Sequence, residues 1–192
     1  MGCSFCNHIK NEKKNEMIND NESNSTYKLK KIHEEIDTEY LNENQSRNND
    51  IFDFFIDLRS NPSKYIEESK QYELDDIIIY ANNNKLFENI KMLINNPFFN
   101  LFLNSYVNKY PDSKENILFD LENNMQLQNY EKTLYSMKYN SKNPKDFVWY
   151  LLKENKDIAL NDILYRNSDF VVISSDFLSD QIIVYFLFLK RN

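Results

Sequence analysis

The fold is decided by residues 182–189, which read Ile-Ile-Val-Tyr-Phe-Leu-Phe-Leu. Every position in this run is apolar or aromatic, whereas a strand with one face in water alternates apolar and polar residues. The run therefore predicts a strand that is covered on both faces. Residues 170–173, Phe-Val-Val-Ile, form a second β-forming run, and together the two predict an antiparallel pair at the end of the chain. Helices on each side of that pair give a helix-rich α/β fold, a three-layer α-β-α sandwich; the alternative is a mostly α-helical bundle with a terminal β-hairpin.

Prolines divide the rest of the domain into predicted helices. Phe52, Phe55 and Ile56 have helical spacing. The residue before a proline is disfavoured in a helix, so a first helix ends just before Pro62, which can itself open the next one. The pattern predicts further helices over residues 62–72, 86–94 and 98–110, and one that begins at Pro144. Residues 112–132 mix helical and polar signals and receive no firm assignment.

Composition limits the class of protein. The chain has 192 residues and a formal charge of −7, which argues against a nucleic-acid partner because phosphate-binding domains are normally basic. There is no apolar segment typical of a secretory signal, and the longest apolar run is far short of the roughly 20 residues of a spanning helix. Because residues 1–26 are polar and low in complexity, we expect a flexible tether there, then a helical linker (27–48) and one globular domain (49–192).

The first residues of the chain carry a pattern typical of lipid attachment. Gly2 is the only glycine, and Cys3 and Cys6 are the only cysteines. Once Met1 is removed, Gly2 is a possible N-myristoyl acceptor, and the two neighbouring thiols are possible palmitoylation sites. The usual myristoylation pattern has Ser or Thr at position 6, where this chain has the similarly small Cys6.

A second signal is needed, because a single myristoyl chain gives only marginal membrane binding, on the order of 10^4 per molar. The thiols of Cys3 and Cys6 supply one such signal. Basic side chains supply another, since they can lie against anionic lipid headgroups. The basic residues expected at the membrane surface are Lys10, Lys13 and Lys14.

Several stretches resemble domains of the CAP superfamily (cysteine-rich secretory, antigen 5, pathogenesis-related type 1). Residues 54–65, Phe-Phe-Ile-Asp-Leu-Arg-Ser-Asn-Pro-Ser-Lys-Tyr, resemble the opening helix of that family. Residues 139–148 resemble the segment that follows its Gly-Glu-Asn motif. Residues 161–164 resemble its Asn-Ile-Leu box, and residues 170–173 with the terminal run resemble its two closing strands. The likeness spans roughly residues 50–190 and implies an α/β/α fold.

The resemblance also implies a cleft in which two His and two acidic residues can hold a divalent metal. The position of the first cleft His falls near Asn108 and that of the second near Ala159, while Tyr135 or a neighbour stands where the motif acid would be. The two histidines of the chain, His8 and His33, both precede the domain. We therefore expect no metal and no cofactor.

The domain also lacks the usual elements of catalysis. It contains no His, no Cys and no Gly, which excludes His-based triads and glycine-rich phosphate loops. The adjacent carboxylates Glu67-Glu68 and Asp75-Asp76 diverge on a helix, so we expect them to be solvated surface. Arg59 faces an apolar stripe and is expected to snorkel to solvent or to pair locally.

These patterns predict a non-enzymatic, lipid-anchored adaptor with a protein partner at the cytosolic face of a membrane. The Asn–Lys–Ile bias is typical of AT-rich genomes such as those of apicomplexan-type protists, which points to the plasma membrane or inner membrane complex. The alternative is a lipid- or sterol-binding module that retains a metal-free CAP cleft. This alternative rests on the aromatic stretch at residues 98–110. We expect that stretch to be mostly core, with an exposed subset able to bind a partner or lipid.

Overall fold

The computed structural model describes residues 42–88, 90–178 and 180–192, and Asn44–Asn192 form one compact unit. The helix that opens the unit already runs through residue 49, where the domain was expected to start. The helices are α1 (42–60), α2 (Ile66–Ser69), α3 (Asp75–Asn83), α4 (Pro97–Lys109), α5 (Lys114–Glu122) and α6 (Pro144–Glu154). The strands are β1 (Tyr130–Tyr139), β2 (Phe170–Leu178) and β3 (Gln181–Arg191). Shorter helical turns cover Pro62–Tyr65, Lys70–Tyr72, Met125–Leu127, Lys156–Ile158 and Ala159–Leu164.

The three strands form one antiparallel sheet with the order β1-β3-β2. The terminal strand β3 is therefore central: Tyr185 pairs with Ser136 of β1 on one side and with Ser174 of β2 on the other. The predicted antiparallel strand pair at the end of the chain is confirmed as β2 and β3.

Alternate residues of β3 enter two separate cores. Val184, Phe186 and Phe188 pack with α1, α3 and α6 on one face of the sheet. Tyr185 and Leu187 pack with α4 and α5 on the other face. The prediction of a strand covered on both faces is thus confirmed, and the helix-rich α/β fold has its sheet between two helical layers.

Two Asn-Pro pairs begin helices: Pro144 opens α6 as predicted, and Pro97, which was expected to break a helix, opens α4. Asn96 caps α4, since its side chain accepts a hydrogen bond from the Phe98 backbone N–H at 2.9 Å, and Pro97 occupies the first turn. Asn143 caps α6 in the same way. An asparagine at the cap satisfies a free backbone donor, and proline lacks the donor that the first turn cannot use.

The predicted helix over residues 86–94 is wrong. Lys85 adopts a left-handed backbone conformation (φ 51°), which ends the helical path of α3. The chain is then extended, and Ile94 forms an isolated parallel bridge with Phe170 at the outer edge of β2. The contact with β2 therefore sets the extended path of Leu93 and Ile94, although their spacing from Leu86 would fit a helix.

Strand β1 was not predicted. Its ten residues bury only Leu134, which faces the α4 and α5 core, and Met137, which faces the opposite core. An edge strand with one buried residue per face has little hydrophobic alternation. Its formation depends on pairing with β3, which is distant in the chain.

Candidate docking surface

The residues predicted to carry the lipid anchor lie outside the described residues. They are Gly2, Cys3, Cys6, Lys10, Lys13 and Lys14. In the part of the chain that the structure describes, no helix is both long and apolar enough to cross a bilayer.

The positions that the CAP resemblance assigned to the metal cleft carry no metal ligand set. Asn108 is exposed near the end of α4, Ala159 is fully buried, and Tyr135 is half-buried on β1. Across residues 42–88, 90–178 and 180–192, no group of three or more His, Cys, Asp or Glu side chains is placed to hold a metal ion.

Two carboxylates that the sequence did not single out act as hydrogen-bond acceptors between elements. Asp57 near the end of α1 accepts from Lys64, Tyr65 and Asn61, and these hydrogen bonds lower its pKa to about 2. Asp146 in the first turn of α6 accepts from the Tyr72 hydroxyl at 2.8 Å. A group that stays ionised at neutral pH has no proton to donate, so the geometry of Asp57 suits a structural acceptor.

The expectation that Glu67 and Glu68 are both solvated is wrong for Glu68. Its Oε1 accepts a hydrogen bond from the indole N–H of the fully buried Trp149 at 3.1 Å, and Lys145 lies 3.5 Å from its other oxygen. The Lys145 ammonium also lies 5.2 Å from the Phe54 ring centroid. Glu68 therefore satisfies a buried donor that would otherwise lose its hydrogen bond to water.

Arg59 is also placed differently from the expectation. It neither snorkels nor pairs with a carboxylate; it is 2% exposed and donates to main-chain oxygens. Its guanidinium reaches the Leu164 oxygen at 2.6 Å and the Lys91 oxygen at 3.0 Å. Leu164 ends the helical turn Ala159–Leu164, where carbonyl groups lack helical partners, so the arginine supplies donors that the backbone needs.

Burial around Arg59 shifts two pKa values. Desolvation lowers the pKa of Arg59 to about 10, which leaves it charged at neutral pH. Desolvation raises the pKa of Tyr165 to about 12, although the nearby Arg59 charge acts in the opposite direction. Arg59 thus joins α1 to the segments around residues 91 and 164, and its position inside the domain makes it a structural residue.

An exposed apolar surface precedes and opens α4. We call it the α4 surface and define it by Met92, Ile94, Phe98 and Leu101. Met92 is 80% and Leu101 68% exposed, and the other two side chains are about half exposed. A hydrogen bond of 2.7 Å between Asn100 Nδ2 and Asn95 Oδ1 holds the segment before α4 against the first turns of the helix.

The same helix has a buried side, and the expectation that the aromatic residues of 98–110 are mostly core is confirmed. Phe99 is in the core, Phe102, Tyr106 and Tyr110 pack against it, and Phe98 is about half exposed. Phe99, Leu103 and Val107 fill the core between α4 and the sheet. Phe98 bridges the two sides, because its ring centroid lies 4.8 Å from that of the half-buried Phe102. The exposed side chains thus continue directly from the packed ones.

The charge around the α4 surface differs from that of the whole chain. Between Glu88 and Asp112 there is no acidic residue, although the chain carries a net charge of −7. The acid that comes near in space is Asp169, which pairs with Lys91 and accepts the Arg191 backbone N–H at 2.7 Å. Lys91 therefore balances the Asp169 carboxylate, and the Arg191 guanidinium, which is hydrogen-bonded to Tyr130, adds a positive charge close to it. The sequence shows the missing acids, but only the structure shows which apolar side chains face outward.

Comparisons with known proteins give no relatives. No family model matches the chain, no curated protein matches it, and no solved structure matches it.

Proposed function

We propose that this protein is a lipid-anchored, non-catalytic adaptor that holds its domain and a protein partner at the cytosolic face of a membrane, the plasma membrane or inner membrane complex of its cell. The observation that carries the proposal is the position of Gly2, Cys3 and Cys6. Gly2 is the only glycine of the chain, and Cys3 and Cys6 are its only two cysteines. Myristoylation of Gly2 with palmitoylation of one or both cysteines gives the two signals that stable anchoring requires.

The domain behind the anchor is proposed to be a degenerate CAP domain. The order of its elements supports this: α1 ends before Asn61-Pro62, a helix opens at Pro144, and two closing strands follow. Ala159 stands where the resemblance places a metal-binding His, and it is fully buried. An aliphatic residue at that position favours a domain that has kept the fold and lost the chemistry of the cleft.

The polar groups inside the domain also favour a non-catalytic role. Arg59 is occupied by backbone oxygens, Asp57 and Asp146 by donors from neighbouring elements, and Glu68 by Trp149. Side chains that hold elements together in this way are poorly available to a substrate. An adaptor needs an anchor and a stable domain, and these contacts contribute to a stable domain.

Metabolic labelling with an alkyne analogue of myristate tests the anchor. The wild-type chain is expected to take up the label and to sediment with membranes, and Gly2→Ala is expected to lose the label and move to the soluble fraction. Cys3→Ala with Cys6→Ala is expected to keep the myristate label and to be released partially, because one acyl chain binds weakly. Ser4→Ala is the matched control and should behave as wild type. A Gly2→Ala protein that remains on membranes would contradict the proposal.

A further inference from the structure

The α4 surface exposes apolar area that a binding partner could remove from water. Met92 and Leu101 are large apolar side chains with most of their area in water, and apolar area gains free energy when it leaves water. A stable protein–protein interface takes about 20–30 residues of all types from each partner, so the four apolar residues of the α4 surface would form only a small part of one. Few apolar side chains are sufficient for a lipid contact when another part of the chain already holds the protein at the bilayer, because the effective concentration is then high.

The charge around the α4 surface also favours contact with a lipid bilayer. The cytosolic leaflet carries anionic lipids, which repel a chain with a net charge of −7. The α4 surface lies in the stretch without acidic residues. Its Ile94 is hydrogen-bonded to the backbone of Asp169, and both Lys91 and the Arg191 guanidinium interact with the Asp169 carboxylate. Asp169, the nearby acid, is compensated by its ion pair with Lys91. A domain held beside an anionic bilayer therefore brings little uncompensated negative charge to the headgroups when this end faces them.

From these observations we propose that the α4 surface contacts the bilayer directly, with Leu101 and its neighbours inserted at the boundary of headgroups and acyl chains and with the Arg191 guanidinium at the lipid phosphates. The contact rests on the proposed function only in that the lipid anchor brings the domain to the membrane. It adds an orientation: the anchored domain presents α4 to the lipid and leaves its remaining surfaces to a protein partner.

The experiment replaces the acyl anchor so that acylation and lipid contact can fail separately. The full-length chain with Cys3→Ser and Cys6→Ser carries an N-terminal polyhistidine tag and binds vesicles of phosphatidylcholine, phosphatidylserine and a nickel-chelating lipid. A nitrobenzoxadiazole dye on Leu101→Cys reports contact with acyl chains. The matched control is the dye on Phe119→Cys in α5, because Phe119 is 64% exposed, close to the 68% of Leu101. Both side chains point outward, so neither label disturbs the core.

The expected result is a blue-shifted emission at position 101 and quenching by spin-labelled acyl chains about threefold stronger than at position 119, as for apolar side chains that enter the interface. Equal quenching at the two positions, or no quenching at 101, would overturn the proposal. A blue shift at 101 that grows with protein concentration in the absence of vesicles would also overturn it, in favour of a second copy of the chain. Because nickel recruits the protein, a chain that takes up no myristate label leaves this result interpretable.

Discussion

The two sides of the sheet are built differently. On the side of α1 and α6 the largest buried side chains, Trp149 and Arg59, are each tied by hydrogen bonds to another element. On the side of α4 and α5 the core consists mainly of aliphatic and aromatic contacts, and both helices keep a large apolar residue exposed, Leu101 on α4 and Phe119 on α5.

We expect the α1 and α6 side to matter most for stability, and the outer residues of the α4 side to be available for interaction. Removing one partner of a buried polar contact leaves the other unsatisfied, so the α1 and α6 side tolerates little change. The α4 side tolerates change at its outer residues, because these side chains contribute little to the core. Mutations on the two sides should therefore have different effects, and the comparison can be tested at named positions.

The largest effect is expected for Trp149→Ala. The indole packs against the rings of Phe54 and Tyr72, with centroid distances of 5.5 and 5.4 Å, and its N–H bonds Glu68. Truncation leaves a large cavity and should lower the free energy of unfolding by about 3–5 kcal/mol. Urea unfolding followed by far-UV circular dichroism measures this loss. A midpoint close to that of wild type would contradict the picture of a tightly coupled α1 and α6 side.

A matched pair of leucines on one helix tests the α4 side. Leu103→Ala removes a fully buried side chain and should lower the free energy of unfolding by about 2–5 kcal/mol, while Leu101→Ala should change it by less than about 0.5 kcal/mol. The same unfolding assay applies to both variants. Similar losses at the two positions would show that Leu101 packs against something in solution, and the α4 surface would no longer count as free.

Arg59→Met tests whether the buried guanidinium is structural. The oxygens of Leu164 and Lys91 lose their donor, so we expect a loss of about 2–3 kcal/mol in the free energy of unfolding. Arg59→Lys is the control, since it keeps the charge but a single ammonium cannot replace the planar fork, and it should be intermediate. An Arg59→Met protein as stable as wild type would show that the fold does not depend on these bonds.

At Asp57 we expect an effect in acid that is smaller than those of Trp149→Ala, Leu103→Ala and Arg59→Met. The pKa of Asp57 in the folded protein is about 2, below the ordinary 3.8, so its ionised form stabilises the fold above 3.8 and this contribution is lost as the pH falls toward 2. Asp57→Asn should therefore flatten the fall in stability over that range. We expect a difference below about 1 kcal/mol, because Lys64 and part of Asp57 are in water. Identical acid unfolding curves for the two proteins would show that Asp57 does not contribute to the pH dependence of stability.

Much of the domain follows from local sequence. Asparagine before proline caps α4 and α6 because the asparagine side chain and the proline ring act on adjacent backbone groups. The apolar run at residues 182–189 could fit only a strand buried on both sides, and β3 is such a strand. The expectation of a solvated Glu68 failed because its donor, Trp149, is distant in the chain.

The sequence by itself thus determined the end of α1, the start of α6, the closing strand pair and the layered arrangement around β3, since each depends on residues close together in the chain or on a single unbroken apolar run. The tertiary structure decided the rest. Residues 91–94 are extended because Phe170 and Arg59 bind them, β1 exists because β3 pairs with it, and the outward face of α4 is fixed by how Phe99 and Leu103 pack on the sheet. Contacts between distant residues override local periodicity wherever the local preference is weak.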